Sequence, residues 1–126
     1  MYKKVLVIED DKEILNIISL VLEGDGHITI LSSSGAVLQD IKGIKPDLIL
    51  MDEWLRTELG SNLCRKLKSD PATNDIPVIL ISALSAIDRI ALEAGADAFI
   101  SKPFDIVELS ETVNRYISGN KIHSVN

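Results

Sequence analysis

A doubly wound α/β domain, with a five-stranded parallel sheet in the order 2-1-3-4-5, is the fold class this sequence predicts. Three observations carry it. Strand-sized apolar runs recur at Val5–Ile8, Ile28–Leu31, Leu48–Met51, Val78–Ile81 and Ala98–Ile100. Stretches with helical spacing or helix-start signals separate them. The runs are almost continuously apolar rather than alternating, the pattern of strands covered on both faces. Right-handed crossovers restrict the topologies, and 2-1-3-4-5 is a common solution at this size.

Each element has a local reason. Val5–Ile8 is too short for a helix and rich in β-branched residues. Glu9, Asp10 and Asp11 follow, and acids suit a helix start. Ile14, Leu15, Ile17, Ile18, Val21 and Leu22 then repeat at helical spacing, up to Gly24 and Gly26. After the second strand, Ser32-Ser33-Ser34-Gly35 is a turn and helix start, with a weak helix through Ile41. Pro46 and Asp47 open the third strand, which ends at Asp52, and Glu53 to Gly60 reads as a loop. Leu63 and Leu67 belong to a third helix, closed by the polar stretch from Ser69 to Asp75. Pro77 opens the fourth strand, ending at Ser82. A short helix carries Ile87, Ile90, Ala91 and Ala94 to Gly95. The fifth strand leads to Lys102-Pro103. Asp105 caps a last helix bearing Ile106, Leu109, Val113, Tyr116 and Ile117, which Gly119 stops. Residues 1–119 are expected to form one domain, and residues 120–126 a flexible tail.

Bulk properties narrow the function. The 126 residues suit a single domain. A net charge of −6 argues against a direct nucleic-acid binder, which needs a basic face, and against docking on anionic lipid. No apolar run approaches the roughly 20 residues of a membrane span, and no secretory signal pattern is present. With one cysteine, Cys64, no internal disulfide can form. A cytoplasmic location is the expectation. Cys64 reads as a small buried hydrophobe, and His27 and His123 as ordinary polar residues.

In such a sheet, ligands bind beyond the carboxyl ends of the strands, at the point where strand order reverses. Here that point lies between strands 1 and 3, so Glu9, Asp10 and Asp52 converge on one crevice. Like charges this close repel unless a cation intervenes. A hard divalent ion relieves them, and Mg²⁺ fits best, since it takes one or two carboxylates plus water and phosphate. Strand 4 brings the Ser82 hydroxyl to the same edge, and strand 5 the Lys102 ammonium. Metal and ammonium can neutralise a transferring phosphoryl group, and Asp52 can be its nucleophile, forming an aspartyl phosphate. Singly, each residue has a plainer reading: a helix cap, a structural strand-end acid, a turn hydroxyl, a surface lysine. Their joint placement at the ends of four strands points to chemistry.

These segments resemble the receiver domains of two-component response regulators, over residues 3 to 118. Val5-Leu6-Val7-Ile8-Glu9-Asp10-Asp11 is similar to that family's first strand and acidic pair. Pro46 through Asp52, with Gly60 beyond, is similar to its phosphoacceptor strand. Ile76 through Ala83 is similar to its switch-hydroxyl strand, and Ala94 through Phe104 to its lysine segment. The resemblance implies a flavodoxin-like receiver fold. It implies Asp52 as phosphorylation site, and Mg²⁺ held by Asp10 directly, Glu9 through water, Asp52, and the Trp54 backbone carbonyl. It implies Ser82 and Lys102 on the phosphoryl oxygens, Phe99 as the aromatic switch, and a cis Lys102–Pro103 bond. The implied partners are a sensor histidine kinase or histidine phosphotransfer protein, and a downstream protein the sequence does not name. The domain would catalyse only its own phosphorylation and dephosphorylation. No effector domain is visible here, so output is expected through protein contacts, whether the chain is a natural single-domain relay or an excised receiver.

Three departures stand out. Arg56 replaces the family's usual proline, removing a rigid φ constraint. Trp54 is bulky beside the site. The segment from Ser82 to Gly95 is shorter than in the chemotaxis regulator. Two other function classes compete. A receiver used only for binding would keep the acids without being modified, with Arg56 as a built-in cation. A flavin binder or phosphatase on this fold would need a phosphate loop or an Asp-x-Asp signature after strand 1; Glu9-Asp10-Asp11 supplies neither, and no glycine-rich nucleotide loop is present.

Overall fold

A computed structural model of the chain describes residues 3–118. Its parallel sheet contains β1 (Lys4–Ile8), β2 (Ile28–Ser32), β3 (Leu48–Asp52), β4 (Val78–Ser82) and β5 (Ala98–Ser101), in the order β2-β1-β3-β4-β5. The helices are α1 (Lys12–Gly24), α2 (Ile41–Ile44), α3 (Gly60–Ser69), α4 (Ile87–Ala94) and α5 (Ile106–Ile117). The expected order and alternation are therefore present. The expected stop at Gly119 and the tail at 120–126 lie outside the described residues.

Successive residues of each strand point to opposite faces, and the core divides accordingly. Leu6, Ile8, Ile49, Met51 and Leu80 pack with Leu63 and Leu67 of α3 and with Ile87 and Ala91 of α4. Val5, Val7, Leu48, Leu50, Ile79 and Ile81 pack on the other face with Ile18 and Leu22 of α1 and with Leu109 and Val113 of α5. Every residue of β3 and β4 is buried, which explains why these strands read as unbroken apolar runs.

The weak helix after Ser34 takes a different form. Residues Gly35–Asp40 make a 3₁₀ helix, capped by the Ser34 side chain on the Ala36 N–H, and one α-helical turn continues past Ile41 to Ile44. It stops where Lys45 adopts a left-handed conformation (φ 52°) ahead of Pro46. Proline disfavours α geometry in the residue before it, so the helix ends there, one turn beyond the expected end at Ile41. The other ends follow their sequence signals. Asp11 accepts from the N–H groups of Glu13 and Ile14, Asp105 accepts from Val107, and Gly95 (φ 79°) closes α4. Cys64 is buried, its thiol pushed up to about 11 by burial, and His27 bonds to Asn114, in keeping with the plain roles expected of both. His123 lies outside the described residues.

Candidate functional site

Sheet register sets the site. Ile8 of β1 is level with Met51 of β3, so the next residues, Glu9 and Asp52, leave the sheet side by side. Ser82 of β4 is level with Ser101 of β5, which places Lys102 beside the same edge. The Lys102 N–H donates to the Ser82 carbonyl at 2.9 Å, and the Lys102–Pro103 bond is cis, as expected.

Lys102 joins two carboxylates. Its Nζ lies 2.7 Å from Asp52 Oδ1 and 3.0 Å from Glu9 Oε1. The other Asp52 oxygen, Oδ2, accepts from the Trp54 N–H at 2.9 Å, and Glu9 Oε2 accepts from the Asp11 N–H at 3.2 Å. Both acids are nearly closed to solvent, Glu9 at 2% and Asp52 at 5% exposure. Burial raises both carboxyls above their ordinary range, and mutual repulsion adds to it (Asp52 acting on Glu9, Asp10 acting on Asp52). The bonds from Lys102 oppose the rise without cancelling it. Burial alone would lower Lys102, but its bonds to Asp52 and Glu9 prevail and raise it. The ammonium therefore stays charged throughout the physiological range.

Asp10 completes the cluster from the open side. One oxygen from each of Glu9, Asp10 and Asp52 lies within 4.8 Å of the others. The donors are all hard carboxylate oxygens, and Asp10 is only half-buried, leaving an approach from solvent. This donor set fits a small hard divalent cation and offers nothing to a soft one.

Ser82 is buried, and its Oγ accepts from the Leu84 N–H at 3.0 Å, which leaves the hydroxyl's own proton for another acceptor. Phe99, on β5, stays 42% exposed. The candidate residues thus fall into a contacting group, Glu9, Asp10, Asp52 and Lys102, with Trp54 attached through its backbone, and two outer positions, Ser82 and Phe99.

A family model described as the response regulator receiver domain matches residues 5–114. The chain belongs to that family. This receiver is 31% identical over 124 residues to the DNA-binding response regulator MtrA of Mycolicibacterium smegmatis, covering 96% of the present chain and 53% of MtrA. The chain spans about half the length of the curated relatives it matches. Among solved structures, the receiver domain of a signal transduction histidine kinase from Syntrophus aciditrophicus superposes with a TM-score of 0.86 at 35% identity, covering 93% of this chain and 91% of that one. The receiver domain of the sensor histidine kinase PA1611 from Pseudomonas aeruginosa superposes at 0.80 with 25% identity, covering 94% and 99%; that protein carries a magnesium ion coordinated in its active-site cleft.

The receiver's departures can now be placed. Arg56 is largely exposed, and its Nε stands 3.9 Å from Asp10 Oδ2, a contact that solvent screens. The Trp54 side chain is 58% exposed and lines a shallow groove with Asp10, Arg56 and Leu59. Leu84, whose N–H donates to the Ser82 hydroxyl, is exposed. One residue beside the site escaped sequence reading. Glu53, taken as the first residue of a loop, is a buried carboxylate that accepts from the Ser61 N–H and the Ser61 hydroxyl, both at 2.7 Å. The available signal was indirect: α3 starts after Leu59, which has no side-chain acceptor for the free N–H groups, so a cap had to come from elsewhere.

Proposed function

We propose that residues 1–119 act as a phosphoacceptor switch, with Asp52 receiving the phosphoryl group of a partner's phosphohistidine. The observation that carries this reading is the Asp52 carboxylate gripped at both oxygens, by Lys102 at 2.7 Å and the Trp54 N–H at 2.9 Å, within an acidic cluster open to solvent at Asp10. A carboxylate so fixed meets an incoming phosphorus atom without first losing orientational freedom. An Asp52 oxygen forms the new bond to phosphorus as the bond to the imidazole nitrogen breaks, and the imidazole leaves with the partner. The chain thereby catalyses its own modification rather than turning over a substrate.

Asp10, Asp52 and the Trp54 carbonyl would hold Mg²⁺. Both Glu9 oxygens already accept hydrogen bonds, which favours its acting through water. The ion supplies positive charge that offsets the acids and the phosphoryl oxygens. Lys102 would shift from the carboxylate to a phosphoryl oxygen. The Ser82 hydroxyl would donate its proton to another, pulling the segment through Leu84 with it, and Phe99 would follow inward. The magnesium site named for the PA1611 receiver supports the cation assignment.

The proposed donors are a sensor histidine kinase or a histidine phosphotransfer protein, and a protein partner reads the switched face. The curated relatives include DNA-binding regulators of which this chain matches about half, so output through an attached domain is equally compatible with the receiver's chemistry. No helix among the described residues is long and apolar enough to cross a membrane, in keeping with the cytoplasmic location we propose.

Arg56 favours one alternative, a binding-only receiver in which its guanidinium substitutes for the metal. Its exposure and 3.9 Å separation make it a weak substitute. Presenting purified histidine kinases, preloaded with phosphate, to this chain discriminates the two. Fast transfer from one kinase, abolished by EDTA, is expected. Stable complex formation with no transfer from any kinase would favour the binding-only reading.

A further inference from the structure

We propose that Glu53 is a positioning residue for the site: its clasp on Ser61 holds the Trp54 segment where cation binding and phosphoryl acceptance at Asp52 require it. This inference rests on the phosphoacceptor reading above.

Glu53 is engaged at every polar group. Its N–H donates to the Ile81 carbonyl of β4 at 2.8 Å, and its own carbonyl accepts from the Gly60 N–H at 2.9 Å. Its two carboxylate oxygens take the Ser61 N–H and hydroxyl, each at 2.7 Å. Glu53 is 2% and Ser61 3% exposed. Charge-assisted bonds this short are among the stronger ones available, and here they lie where water cannot compete. The N-terminus of α3 adds a favourable field for the anion.

The clasp pinches the loop at its base. Trp54 and Leu59 form an isolated antiparallel bridge just above it. Gly60 permits the close approach, because a Cβ there would lie 2.3 Å from the Asp52 carbonyl oxygen. The chain thus leaves β3 at Asp52, passes through the clasp at Glu53, and immediately delivers Trp54, whose N–H holds Asp52 and whose carbonyl is a proposed cation ligand. Packing alone does not demand a charge here. A buried carboxylate carries a desolvation cost that an apolar side chain would avoid. What the carboxylate adds is a fixed direction for the peptides on either side of it. The loop lacks a proline to stiffen it, since Arg56 stands at the position the resemblance assigns to one.

Three variants test this. Glu53→Gln retains an acceptor for the Ser61 N–H and can donate to the Ser61 hydroxyl. Glu53→Met fills similar space without either bond, and Ser61→Ala removes one bond only. Trp54 is the single tryptophan, so its fluorescence reports on this segment directly. The readouts are Trp54 fluorescence titrated with Mg²⁺ alone and the initial rate of phosphorylation by acetyl phosphate. Loss of a supporting bond around a ligand typically weakens metal binding by about tenfold or more. Glu53→Met is expected to raise the Mg²⁺ Kd by about tenfold and slow phosphorylation, with Ser61→Ala intermediate and Glu53→Gln close to wild type. Variants that melt earlier but bind Mg²⁺ and accept phosphate as wild type does would overturn the inference. Should Glu53→Met fail to fold, Ser61→Ala decides: unchanged Mg²⁺ affinity overturns the proposal. A wild type that neither binds Mg²⁺ nor accepts phosphate would instead overturn the phosphoacceptor reading, and this inference with it.

Discussion

Two stretches of the sheet's carboxyl edge are built on different terms. At the ends of β1, β3 and β5, the buried Glu9 and Asp52 and the partly buried Lys102 are in contact, joined by bonds of 2.7 to 3.0 Å. At the end of β4 and on β5, the Ser82 hydroxyl accepts from its own turn, the Leu84 N–H, and Phe99 is 42% exposed. The first stretch is assembled before any phosphate arrives; the second is not engaged with it. On the proposed reading, chemistry and response are separable, with Lys102 as the shared residue. Substituting Asp52 should abolish modification and substituting Lys102 should slow it, while substitutions in the second stretch should leave modification and change its consequence.

The largest expected effect is at Asp52. Asp52→Asn removes the nucleophile with almost no change of shape, so phosphorylation should fall to background. Full labelling of this variant would break the assignment. The next is at Asp10. Mg²⁺ bound to the folded form alone stabilises it by mass action, about 2.7 kcal/mol at one hundred times its Kd. Asp10→Ala should lose most of the increase in Tm that millimolar Mg²⁺ gives wild type. A wild-type Tm indifferent to Mg²⁺ would contradict the cation site.

Lys102→Ala removes the residue that both stretches share. The nucleophile and acidic cluster survive, so phosphorylation should continue at a reduced rate. The group that senses the new charge is gone, so the phosphorylation-dependent NMR shifts around Ser82 and Phe99 should collapse. A full wild-type shift in the phosphorylated variant would show that the two stretches communicate without Lys102.

A smaller effect concerns the lifetime of the phosphoryl group. By the family resemblance, the second residues after Asp52 and after Ser82 flank the path of attacking water. Here they are Trp54 and Leu84, neither able to orient water through a carboxylate or amide. Trp54→Asn with Leu84→Glu should speed the decay of phosphorylated protein by about tenfold with Mg²⁺ present. Equal decay in wild type and double variant would show that Trp54 and Leu84 do not shield the phosphoryl group.

The smallest expected effect is on stability and its pH dependence. Burial raises Asp52 above its ordinary value in the folded state. Its charge is therefore a cost that appears as pH rises through the folded pKa, and stability is greatest below that range. Asp52→Asn removes the cost. In metal-free buffer the variant's Tm should match wild type near pH 4 and equal or exceed it at pH 7. Lys102 is raised as well, by its bonds to Asp52 and Glu9, so the stability its pairing contributes is present at neutral pH and is lost only as pH passes through its raised folded value in the alkaline range. A variant less stable than wild type at pH 7 would show that the bond from Lys102 outweighs burial at Asp52.

Sheet order and most helix ends were legible because each rests on a local signal: continuous apolar runs for β3 and β4, Asp11 and Asp105 as caps, Gly95 as a stop. Those strand ends then placed Glu9, Asp10, Asp52 and Lys102 together, with Ser82 at the same edge but outside the contacting group. The 3₁₀ turn after Ser34 was not legible, because no apolar period distinguishes it from a weak α-helix. Glu53 was missed for a different reason. Its partner Ser61 lies across a loop, and a contact of that kind leaves no periodicity to read. Nor does sequence reveal that Ser82 already accepts a bond from its own turn.

The most direct test of the phosphoacceptor claim is intact-mass analysis of wild-type protein incubated with acetyl phosphate and Mg²⁺, followed by peptide mapping. A mass gain of one phosphoryl group, dependent on Mg²⁺ and located at Asp52, is expected. An unmodified protein under these conditions, or a phosphoryl group mapped to any other residue, would contradict it.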